Sequence, residues 1–101
     1  MRNRTELHEI LCEILGSRHV YFQPPESVKI IYPAIVYSRE NYDNDFANNE
    51  VYNTKRKYQV TYISKDPDSL IPDKLNRFRY ARFSRRFVSE NLYHDVFEIS
   101  F

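Results

Sequence analysis

The chain has 101 residues, 42% of them apolar and 29% charged, with one Gly, five Pro, one Cys and no Trp. That length predicts one domain over residues 1–101 with a thin stability margin, because a chain this small buries only roughly 60 to 70% of its unfolded surface. Fifteen basic against fourteen acidic residues leave a net charge of +1, which is no global field for gathering nucleic acid.

The lone Cys12 can form neither an internal disulfide nor a CxxC pair for redox or zinc chemistry, and it suits a reducing cytoplasm. The longest apolar run is only a few residues, and no basic, apolar, small-residue leader opens the sequence. The expectation is a protein that neither spans a membrane nor is secreted. Nine Tyr and seven Phe are more rings than a small core needs, and such side chains are favoured at protein interfaces.

Residues 3–15, NRTELHEILCEIL, place Leu7, Ile10, Leu11, Ile14 and Leu15 on one face at helical spacing. Asn3 with Glu6 has the form of a capping box, and Gly16 stands where a C-terminal cap belongs. Cys12 lies at the border of the apolar stripe and reads as a small half-buried hydrophobe. HVYF at 19–22 predicts a short strand stopped by Gln23, Pro24, Pro25 and Glu26. A second extended stretch from Val28 contains Pro33, which cannot donate to a ladder, so the regular strand is expected over residues 34–39.

Residues 40–53, ENYDNDFANNEVYN, fit neither the helical nor the strand period and carry Glu40, Asp43, Asp45 and Glu50 with no base. They read as a long polar hairpin loop, and loops of that length are more often binding elements or disordered segments than plain connections; the reading taken is an interaction-competent loop. Residues 54–64 alternate, with Tyr58, Val60 and Tyr62 on one face and Lys57, Gln59, Thr61 and Ile63 on the other, which predicts a strand. Asp66, Pro67, Asp68 and Ser69 form a turn. Pro72 then suits an early helical position, and Ile71, Leu75 and Phe78 predict a second helix of about three turns. The last 21 residues read as a β-hairpin turning near Ser89, Glu90 and Asn91, with Phe83 and Phe87 on one face of its first strand and Tyr93, Phe97, Ile99 and Phe101 on one face of its second. The order predicts an α+β fold, an antiparallel sheet of four to five strands with both helices packed on one face.

The residues for chemistry are sparse. His8, His19 and His94 lack ligand partners at metal-binding spacing. Asp66, Asp68 and Asp73 resemble a cation loop only loosely, because the glycine for its sharp turn is missing. His94 and Asp95 are neighbours on a strand and so point to opposite faces. No nucleophile elbow, phosphate-binding loop or metalloprotease motif is present, so no catalytic or metal site and no cofactor is expected. Basic residues do cluster: Lys55, Arg56 and Lys57, then Lys74, Arg77, Arg79, Arg82, Arg85 and Arg86 with no acid between 74 and 86. One reading is a small nucleic-acid-binding module that uses this local patch, with Tyr80 and Phe83 beside it. The other pairs the acidic stretch 40–53 of one copy with the basic stretch 74–86 of the next, a head-to-tail contact that closes into a ring when the rotation permits.

YFQPPE at 21–26, YPAIVY at 32–37, KDPDSLIPDKL at 65–75 and LYHDVFEISF at 92–101 resemble the small tail-completion or tail-terminator proteins of long-tailed bacteriophages, also described as head-to-tail joining or minor capsid proteins. The resemblance spans nearly the whole chain. It implies a non-enzymatic virion component that forms a ring, commonly a hexamer, on the head-proximal end of the tail tube after assembly in the host cytoplasm. The implied partners are copies of itself, the tail tube protein and the head–tail connector protein, with DNA only passing through the ring and no membrane or small-molecule substrate. Tail terminator, connector stopper and adaptor all remain open as its place in the particle. That family has no catalytic residues to transfer, so the interface residues come from charge and aromatic content: Tyr42, Phe46 and Tyr52 as anchors, and Asp43, Asp45 and Glu50 facing Arg77, Arg82, Arg85 and Arg86 of a neighbour.

Overall fold

Asn3 opens the first helix, its side-chain oxygen accepting the Glu6 N–H at 2.9 Å. Gly16 closes it in the left-handed region at φ 82°, its own N–H donating to the Cys12 carbonyl at 2.8 Å. Between these caps runs α1 (Arg4–Leu15), which buries Leu7, Leu11 and Cys12. Nothing lies within 4 Å of where a Gly16 Cβ would stand, so Gly16→Ala tests backbone strain alone. It is expected to cost about 1 kcal/mol in a urea melt.

The remaining elements are β1 (Val20–Phe22), β2 (Ala34–Ala47), β3 (Glu50–Ser64), α2 (Ile71–Arg77), β4 (Ala81–Ser89) and β5 (Leu92–Ser100). The computed structural model describes residues 3–47 and 50–101, with the backbone alone over 41–47 and 50–54. The five strands form one sheet in the order β1-β2-β3-β5-β4. Every neighbouring pair is antiparallel except β1 and β2, which run parallel and make the sheet mixed. The α+β class read from the sequence stands.

Both helices lie on one face of the sheet. Ile35 and Tyr37 of β2, Tyr58, Val60 and Tyr62 of β3, and Phe97 and Ile99 of β5 join Leu7, Leu11 and Leu75 in the core. The Tyr37 hydroxyl is the polar knot of this layer, receiving Arg4 Nη1 at 3.0 Å and lying 2.8 Å from His8 Nδ1. Arg4 can only donate, which leaves the hydroxyl proton and a second lone pair for His8 Nδ1, the direction of that bond following the His8 tautomer. Among the described residues no helix packs on the opposite face, which carries Gln59, Thr61, Glu98 and His94.

Four expectations are revised. Residues 40–53 are not a loop: β2 continues to Ala47 and β3 begins at Glu50, paired from Asn41↔Lys57 to Ala47↔Glu50. Strand β5 leaves β3 at Lys57↔Ser100, and β1 leaves β2 at Phe22↔Tyr37. Among the described residues β2 pairs only with β3 from residue 41 onward, while on the far side of β3 the Phe101 N–H still reaches the Arg56 carbonyl at 2.9 Å. The second helix has seven residues rather than three turns, because Phe78 is already extended. The register slips between Phe83 and Arg85, so Phe83 stays on the helix face while Phe87 turns to the open face and stacks on His94 at 4.6 Å. Finally β1 joins in parallel, although the sheet was expected to be antiparallel throughout. The hairpin turn itself falls where expected, with Glu90 and Asn91 both at positive φ, as a two-residue hairpin loop requires.

Candidate functional site

β4 is the edge of the sheet, and all its residues except Ala81 are exposed. Three large apolar side chains remain in water there, Phe83, Phe87 and Val88. Arg82, Arg85 and Arg86 share this strand, but the bulge sorts them. Arg82 faces Glu98 and Arg85 faces Val96 on the open face, whereas Arg86 faces Asp95 on the helix face. Arg77 stands apart in the last turn of α2. The structure thus brings together two of the four expected arginines.

Near the start of β4, Lys57, Arg79, Tyr80, Ala81, Arg82, Glu98 and Ser100 line an open cleft of about 260 Å³. Lys57 Nζ is 3.4 Å from Glu98. Lys55 and Arg79 both lie over the Tyr80 ring, at 5.5 and 4.9 Å. The sequence named these residues as a basic run, but only the Lys57↔Ser100 register carries Lys57 to the cleft beside Arg82.

On the helix face, Arg86 is held from three sides. Its Nη2 donates to the Pro67 carbonyl at 3.0 Å, its Nε lies 3.7 Å from Asp95, and it covers the Tyr93 ring at 5.0 Å. Asp95 is only 4% exposed. It lines a cleft of about 320 Å³ with Pro72, Asp73, Asn76, Phe83, Arg86 and Phe97. Burial pushes its carboxyl above the ordinary range, against the pull of Arg86 and His94. No family model, curated protein or solved structure matches the chain.

The six acidic-arm positions, Tyr42, Asp43, Asp45, Phe46, Glu50 and Tyr52, have side chains outside the described residues. Their backbone lies in the ribbon, and its register sets Tyr42 against Arg56 and Asp43 against Lys55. The register therefore sets the acidic stretch beside the basic run 55–57 within one ribbon, whereas the basic stretch 74–86 expected to meet it between copies lies on α2 and β4. Among the described residues no group of three His, Cys, Asp or Glu side chains converges as a metal site would require, and no helix is long and apolar enough to cross a membrane.

Two titrations oppose each other in this arrangement. Burial first, then the charges of Arg4 and Arg18, hold His8 below its usual 6.5. The unfolded chain then binds the proton more tightly, so this contribution is full above 6.5 and is lost as pH falls through the lower folded value. Asp95 is raised above 3.8. Here the folded chain keeps its proton longer, so stability declines as pH rises from 3.8 through the raised value. In thermal melts against pH, His8→Gln is expected to flatten the first slope and Asp95→Asn the second.

Proposed function

We propose that the chain is a structural virion protein of a long-tailed phage or prophage. In this reading it forms a ring that terminates the tail tube and joins it to the head connector. The observation that carries the reading is the combination, on one small body, of a β2–β3 ribbon that runs on past β1 with an exposed, arginine-bearing edge strand. A ring needs two different complementary surfaces on each copy, and these are two such surfaces. The exposed rings of β4 suit contact, and charge sets register. The resemblance to tail-terminator proteins points the same way. Native mass spectrometry and negative-stain electron microscopy of the concentrated protein are expected to show one cyclic oligomer with a central hole. A protein that stays monomeric at millimolar concentration, and on added tail tubes, overturns the reading.

The cleft with Lys57, Arg79 and Arg82 beside Tyr80 favours a second reading, a small nucleic-acid-binding module. Lysine and arginine would meet phosphates and the tyrosine would stack on a base. Fluorescence anisotropy with short single-stranded and duplex DNA tests it. Steeply salt-dependent binding supports it, and no binding at low salt removes it.

A further inference from the structure

The β4 edge and the free edge of the ribbon are both unsatisfied, and charge decides how they can meet. Among the described residues no strand pairs with the outer side of β4. The outer side of β2 is likewise open beyond Arg39, whose N–H is taken at 3.2 Å by the Gln23 side chain just past the end of β1. Unpaired strand edges are templates for another strand. Here, resting on the assembly reading above, we propose that β4 of one copy is extended by residues 40–47 of the β2 strand of a second copy, so that one sheet runs on from subunit to subunit.

Three arguments select this occupant. Within one sheet β2 and β4 are three strand spacings apart, about 14 Å, so a chain cannot satisfy its own β4. The ribbon has two edges, and they differ in charge. Residues 40–47 carry Glu40, Asp43 and Asp45 with no base, whereas the other edge carries Lys55, Arg56 and Lys57 with Glu50 alone opposing them. β4 carries Arg82, Arg85 and Arg86 with no acid. It is drawn to the first edge and repelled by the second. A second β4 is repelled too, so the arginines and the bulge prevent symmetric edge pairing while leaving an acidic strand admissible. Arg82, on the cleft with Lys57, and Arg85, over the Phe87 ring at 5.6 Å, are the open-face cations that a partner strand can meet, since Arg86 is held by Asp95 and the Pro67 carbonyl.

Amide hydrogen exchange of the full chain, compared between dilute and millimolar protein, tests the pairing. A strand added to β4 is expected to slow exchange at every second β4 amide by at least about tenfold. The charge-swap pair names the occupant. Arg82→Glu/Arg85→Glu and Asp43→Arg/Asp45→Arg are each expected to stay monomeric alone and to associate when mixed. An oligomer whose β4 amides exchange as in the monomer overturns the proposal and leaves ring assembly standing. A mixture that fails to associate while the unaltered protein does overturns the occupant. No association of the unaltered protein at all overturns both readings.

Discussion

Phe97→Ala is expected to cost about 3–5 kcal/mol, a large part of the 5–15 kcal/mol that holds a typical domain. Phe97 is 1% exposed, sits opposite Val60 at the centre of the helix-covered face, and meets the Phe83 ring edge-on at 5.4 Å. Removing it leaves a void that neither the sheet nor α2 can close without moving. For a domain of this size each kcal/mol is worth roughly 4–8 °C, so the melting temperature should fall on the order of 20 °C. Phe83→Ala removes a ring of the same size that is already 49% exposed, and its cost should be about a third of that. Differential scanning calorimetry of both variants reads the contrast. Equal losses would mean that β4 is part of the core and not a free edge.

The helix, its two caps and the alternating core of β3 were legible because each obeys a local rule. Asn3 caps, Gly16 takes the left-handed conformation, and Tyr58, Val60 and Tyr62 share a buried face. The ribbon was not legible. The strand period comes from a sheet with one buried side, and the sequence over 41–47 has no apolar alternation to carry it. The Phe87 error has a different origin: one bulged residue near Ser84 reverses every side chain after it, and no residue there announces the slip. The same slip divided the arginines. In sequence Arg82, Arg85 and Arg86 look like one patch, but only tertiary pairing shows that Arg86 belongs to Asp95. Asp95 itself was placed on the face opposite His94 by alternation, yet its burial depends on α2 and could not be read from its neighbours.

Reversing the three arginines together would therefore confuse assembly with folding, and the variants must be separated. Arg82→Glu and Arg85→Glu change exposed residues on the open face and should each alter stability by under about 1 kcal/mol, with Arg82→Glu the costlier because it faces Glu98 across the strands. Arg86→Glu instead sets a carboxylate against the buried Asp95 and strips the Pro67 carbonyl of its donor. Removing the partner of a buried charge leaves that charge uncompensated. Because the Arg86 side chain is itself 43% exposed, the loss should be about 2 kcal/mol rather than the full buried-pair penalty. The double variant Arg86→Glu/Asp95→Asn should recover much of it, since the repelled charge is gone. Urea melts of the monomers, set beside native mass spectra of the same variants, make the division visible. Arg82→Glu/Arg85→Glu should lose the oligomer and keep its melt, whereas Arg86→Glu should lose stability first, with the oligomer weakened only as far as the fold is. The opposite ranking would place Arg86 on the contact surface and return Arg82 and Arg85 to an ordinary solvated face.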